Sequence, residues 1–283
     1  SSAASDVYKR QSLSYARRMA TSDPTLLCVN NVGVRVPDRV LVDELDFSLR
    51  AGELVAILGQ NGAGKSLTLL TLAGLRDPAG GNVLLLDRDI AQCQRRTVAQ
   101  HLALLPQFID DIFPATVLDT VLIGRHPHIG RFRWESTEDN AAAMNALRTM
   151  GLGALSARDV LTLSGGERRR LAIAQLLTQA PDVYLLDEPT NHLDPQHQLD
   201  TLQVFRRLAD SGSGVIACLH DVNLAARFAD RCVLLFGDGR WELGSSAEVL
   251  TESRLSALFA TRMEAVNWRS YELFVATSDN PPL

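Results

Sequence analysis

Apolar positions along the chain fall into short runs divided by glycine, proline and acidic residues. Leu54-Val55-Ala56-Ile57-Leu58 is unbroken, which predicts a strand covered on both faces. Val83 to Leu86, Val183 to Leu186, Val215 to Leu219 and Cys232 to Phe236 are runs of the same kind. Leu45, Phe47 and Leu49 instead alternate with Asp46 and Ser48, so that strand has one wet face. A strand also begins at Leu26, and a moderately alternating one spans Leu102 to Leu105.

Between the strands the pattern predicts helices. Leu67, Leu70 and the glycine stop at Ala73-Gly74 give a short one, and Val117 to Ile123 another. Ser136 to Asp139 caps a helix through Ala143, Leu147 and Met150. Further helices cover Leu171 to Leu177 and Asp221 to Ala229, and Asp194-Pro195 starts one that runs to Ala209. Pro78 to Gly81 and Asp238-Gly239 are turns. Strands alternating with helices predict an α/β fold with a largely parallel central sheet. After Ala265, Trp268 and Tyr271 to Val275 predict a last strand or packing segment.

The chain has 283 residues, 46% of them hydrophobic, which is enough for a core. Its net charge of −5 argues against nucleic acid as a partner. Cys28, Cys93, Cys218 and Cys232 form no Cys-x-x-Cys pair, which points to a reducing compartment. No run reaches the ~18 apolar residues of a membrane span. The opening Ser1 to Gln11 resembles translated adaptor sequence, and Met19 is a plausible start. Residues 1–24 are therefore set apart as a lead-in.

The chemistry centres on Gly59-Gln60-Asn61-Gly62-Ala63-Gly64-Lys65-Ser66, which fits the Gly-x-x-x-x-Gly-Lys-Ser/Thr phosphate loop. Strand, glycine loop and helix aim backbone N–H groups at one anion. Lys65 adds charge for the β- and γ-phosphates, and Ser66 offers a hydroxyl to Mg²⁺. Asp187 and Glu188 close an apolar strand, at the end that faces the ligand crevice in open α/β sheets. One carboxylate would hold the metal, through water, while the other polarises the attacking water. Ser164-Gly165-Gly166 opens a helix and makes a second anion cradle.

Together these stretches resemble the nucleotide-binding subunit of an ATP-binding cassette (ABC) transporter, from about Leu26 to Phe259. The Walker A loop is Gly59 to Ser66, with Leu67 where Thr is common. Gln107 is the Q-loop glutamine, and Leu163 to Glu167 resembles the signature Leu-Ser-Gly-Gly-Gln. Walker B is Tyr184 to Asp187, followed by Glu188; Asn191 to Asp194 is the D-loop, and His220 the switch histidine. The resemblance implies ATP and Mg²⁺ as ligands, with Ser66, Gln107 and Asp187 at the metal. It implies Glu188, His220 and Gln107 as catalytic, and a head-to-tail homodimer in which Ser164 and Gly166 reach the partner's γ-phosphate. Asp194 would communicate across that dimer. Where the family usually has an aromatic residue on adenine, the count reaches Val36. The adjacent Arg35 is the candidate, since a guanidinium can stack on a base.

Thr116 to Gly130 and Leu255 to Phe259 are similar to importers of ferric siderophores, haem and cobalamin. That likeness implies transmembrane permease subunits as direct partners and a substrate-binding protein as an indirect one. The subunit would be peripheral, on the cytoplasmic face of the inner membrane. The ATPase domain is expected over residues 25–262, with a helical subdomain over about 108–165 and a short extension over 263–283. In the family the insert holds a groove for a coupling helix of the permease, and Phe108 to Gly130 suits that docking. His126 and His128 suggest zinc as a rival, without further ligands nearby. Arg168-Arg169-Arg170 is expected on a solvated or interface face. The alternative function is a soluble non-transport ABC ATPase, but the stretch between Lys65 and Ser164 carries no heptad run.

Overall fold

The computed structural model describes residues 24–108, 114–130, 133–269 and 271–277. All of the expected lead-in but Pro24 therefore lies outside the described residues, as do parts of the insert. The chain runs β1 (Thr25–Val36), β2 (Arg39–Arg50), β3 (Leu54–Leu58), α1 (Lys65–Leu72), β4 (Gly80–Leu85), β5 (Arg88–Asp89), α2 (Arg95–His101) and β6 (Leu102–Leu105). Three helices follow, α3 (Val117–Leu122), α4 (Thr137–Thr149) and α5 (Gly165–Gln179). Then come β7 (Val183–Asp187), α6 (Pro195–Asp210), β8 (Gly214–Cys218), α7 (Val222–Phe228), β9 (Arg231–Leu235) and β10 (Trp241–Ser245). Short α8 (Ser246–Val249), α9 (Glu252–Phe259) and the hairpin β11 (Arg262–Trp268) and β12 (Tyr271–Thr277) close the chain.

The central sheet has the order β10-β9-β3-β8-β7-β6. It is parallel from β9 to β6, with β10 antiparallel at its edge. A second, antiparallel sheet has the order β2-β1-β4-β5. Both faces of β3 are buried, yet they face different cores. Leu54, Ala56 and Leu58 join the core under α3 to α7, while Val55 and Ile57 join the core under the antiparallel sheet and α1. Period-two geometry thus divides one unbroken apolar run between two layers. On the helical side Tyr184 is fully buried and meets Phe205 edge-on at a 5.7 Å centroid distance.

Several elements start where their caps dictate. Ser136 and Asp139 form the expected capping box of α4. Asp194 caps α6 with Pro195 in its first turn. The helix expected from Leu171 instead begins at Gly165, because Ser164 and Glu167 make a capping box there. Helix α2 is unmarked in the pattern, since Val98 is its one buried residue. The tail pairs with itself: β12 finds its partner in β11, and Asn223 on α7 exchanges two hydrogen bonds with the Phe274 backbone, at 2.8 and 3.2 Å.

Candidate nucleotide site

A cavity of about 610 Å³ opens at the carboxyl ends of β3 and β7. Asn61, Gly62, Gly64, Lys65, Ser66 and Leu67 form its floor, and Gln107, Glu188 and His220 one wall. The loop's shape requires glycine at two points. A Cβ on Gly59 would lie 2.5 Å from the Leu235 carbonyl oxygen, and Gly64 adopts φ 100° while facing Leu41. Lys65 is 5% exposed, and its Nζ donates to the Gly59 carbonyl at 2.8 Å and the Gln60 carbonyl at 3.1 Å. Burial lowers its pKa, against the pull of nearby acidic groups that include Glu188 and Asp187. An anion in the loop would favour the charged ammonium.

Asp187 is buried, and its carboxyl is held above the usual range by burial and by the neighbouring Glu188. Ser66 hydrogen-bonds to this carboxyl, which Arg169 and Lys65 also stabilise. Its Oδ1 has no hydrogen-bond partner. A buried, orphaned carboxylate oxygen beside a hydroxyl is the donor set a divalent cation needs. The residues therefore fit Mg²⁺, with Ser66 and Asp187 as the holders and Gln107 within the same cavity.

Glu188 is the most constrained group of the site. Its backbone is left-handed, at φ 51°, and its N–H reaches the Cys218 carbonyl at 3.2 Å. Its carboxylate accepts from Gln107 Nε2 at 2.8 Å, from Asn191 Nδ2, and pairs with His220 Nε2. Gln107, Glu188 and His220 come from three separate segments, and the structure brings them together. A strained backbone held by that many partners is characteristic of a functional position.

Other expected residues lie elsewhere. Arg35 is a correction: its guanidinium faces Asp43 at 3.3 Å on the exposed side of β1 and does not line the cavity. Alternation puts Val36 on the opposite face, where it lines the cavity with Leu41 and Arg39. Arg39 Nε donates to the Gly237 carbonyl at 2.9 Å, which fixes the guanidinium at the rim. The Pro37-Asp38 turn, which sets Val36 opposite Arg39, was the sequence signal for it. Ser164, Gly165 and Gly166 lie at the start of α5, outside this cavity. Asp194 also lies outside, accepting from the His197 N–H at 2.9 Å. His128 Nε2 is bonded to the Gln179 carbonyl at 2.8 Å, and burial lowers its pKa. Arg169 is a second correction, buried at 3% exposure rather than solvated.

The ABC transporter family profile matches residues 42–191, from β2 through Glu188. This chain belongs to the ABC transporter family. A cobalamin import ATP-binding protein of Halobacterium salinarum is 41% identical over 245 residues, covering 86% of this chain and 60% of that protein. The chain thus spans less than two thirds of that relative's length. A hemin import ATP-binding protein of Pseudomonas fluorescens is 42% identical over 83% of this chain and 92% of its own. Among solved structures, an inward-facing metal-chelate type ABC transporter aligns with TM-score 0.79 and 31% identity, over 90% of this chain and 99% of that one. An ATP-binding cassette in its ADP conformation, 20% identical with TM-score 0.72, shares the fold; the match covers 84% of this chain and 99% of that one.

Proposed function

We propose that this ABC protein is the ATP-hydrolysing subunit of an importer for ferric siderophore, haem or cobalamin-type cargo. The carrying observation is the meeting of Gln107, Glu188 and His220 beside the Lys65 loop. In this reading Lys65 and the loop N–H groups hold the β- and γ-phosphates of ATP. Glu188 polarises the attacking water, and His220 orients it against the γ-phosphate. Mg²⁺, held by Ser66 and Asp187 near Gln107, would offset charge on the phosphates. Val36 and Arg39 would face the base.

Ser164 to Gly166 lie outside the cavity, and a γ-phosphate held there would need donors beyond its lining residues. A second copy, packed head to tail, supplies these residues and excludes water. ATP favours the closed pair, and hydrolysis releases it, so differential affinity for the two states moves the permease. The permease subunits dock against the insert, where Phe108 and Trp134 are exposed, with the chain peripheral on the cytoplasmic face. Among the described residues no helix is long and apolar enough to cross a membrane. A substrate-binding protein delivers the cargo on the far side.

Glu188→Gln tests the reading. It should bind ATP, abolish turnover and trap a dimer on a sizing column. Turnover at the wild-type rate would remove Glu188 from its role. Co-purification with a hydrophobic permease in detergent supports the importer, whereas ribosomes or DNA in its place would support the soluble alternative.

A further inference from the structure

Arg169, the middle residue of the arginine triplet, is explained by its own surroundings. Strands β6 and β7 end their ladder at Leu105 and Leu186. Beyond it the two strands make no further pairs and leave a split, although Asp187 still pairs with β8 and the Glu188 carbonyl accepts from the Asn191 N–H at 3.1 Å. Arg169, in the second turn of α5, inserts its guanidinium into that split. One terminal nitrogen donates to Pro106 at 2.6 Å and, at 3.4 Å, approaches Gln107. The other donates to Asp187 at 2.5 Å and Glu188 at 2.8 Å. Burial lowers its pKa to about 10, which still leaves it charged at neutral pH.

We propose that Arg169 is a positioning residue for ATP hydrolysis: its planar fork ties the helix that starts at Ser164 to the backbones of both Gln107 and Glu188. The proposal rests on the ATPase reading of the site. A left-handed glutamate persists only where its surroundings fix it. The hydrogen bond to the Glu188 carbonyl is one such constraint, and the bond to Pro106 fixes the segment that carries the Gln107 amide to the same carboxylate. Arg169 does not line the nucleotide cavity; it acts through these two residues. It also links them to α5, whose first turn is the part offered to a second copy. Movement of that helix on pairing is thereby transmitted to the catalytic carboxylate. A lysine would keep the charge but not the fork.

The test compares Arg169→Gln and Arg169→Lys with wild type in the full chain, using MgATP. Turnover is counted per ATP-binding molecule, fixed by equilibrium nucleotide titration. Leu147→Ala, a core truncation in α4, serves as the control for general loss of stability. Displacing a catalytic group by about 1 Å costs on the order of 10²-fold, so the Gln variant should lose about that much kcat while KM changes by less than about threefold. The Lys variant should fall between. Wild-type kcat in the Gln variant overturns the proposal, as does an equal kcat loss in Leu147→Ala. Should the Gln variant fail to fold, wild-type kcat in the Lys variant overturns it instead, and a fall in kcat alone supports it. A wild-type chain without turnover would refute the ATPase reading, which none of these variant outcomes does.

Discussion

Gln107 Nε2 donates to Glu188 Oε2 at 2.8 Å, so the residue beyond β6 is bonded directly to the carboxylate beyond β7. This contact joins the segment leading into the insert to the group that would activate water. Removing the amide in Gln107→Ala should leave ATP binding near wild type and lower kcat by about 10- to 10²-fold, the range of a lost positioning contact at a general base. Steady-state phosphate release beside an equilibrium nucleotide titration separates the two effects. A raised Kd with unchanged kcat would place Gln107 in binding alone.

The end of the cavity lined by Val36 and Arg39 gives a second expectation. Arg39 lines it while Arg35 is engaged with Asp43. A guanidinium on a base contributes about 0.5–2 kcal/mol, so Arg39→Ala should raise KM for MgATP by a few-fold up to about thirtyfold. Arg35→Ala should stay within about twofold, the scatter expected of a surface substitution. The reverse ranking would return the role to Arg35.

Asp187 carries a cost of burial that Ser66, Arg169 and Lys65 offset only in part. Its buried carboxyl titrates above the usual range, and Oδ1 has no partner. Without divalent cation, Asp187→Asn should melt at or above the wild-type temperature, because it removes an unfavourable buried charge. With Mg²⁺ and ATP the order should reverse, and chelation should abolish wild-type turnover. Thermal melts in chelator and in MgATP decide this. A destabilised Asn variant in chelator would show that the contacts to Ser66, Arg169 and Lys65 outweigh the cost of burial.

Glu167 supplies a pH dependence. Hydrogen bonds from the Ser164 backbone, at 2.8 Å, and from its side chain lower the Glu167 pKa below 4.5. A depressed folded-state pKa contributes stability that is present above about 4.5 and is lost as pH falls through the folded value. The melting-temperature advantage over Glu167→Gln should therefore be full near neutrality and shrink only in acid. An advantage independent of pH would assign it to the shape of the capping box rather than to charge.

The strand-loop-helix at Gly59 to Ser66, the acidic end of β7 and the caps at Ser136 and Asp194 were legible in the sequence. Each depends on residues close together in the chain: a glycine that must turn, an oxygen that must meet an N–H three positions on, an apolar run that must be covered. The tertiary structure decided what these local rules could not reach. It divided the β3 run between two cores, placed Val36 and Arg39 rather than Arg35 at the cavity, paired β11 with β12 and put Arg169 between β6 and β7. Those outcomes depend on which carbonyls and faces lie opposite one another after distant segments pack. An arginine in a run of three has the same local pattern whether it meets water or the four backbone carbonyls found here.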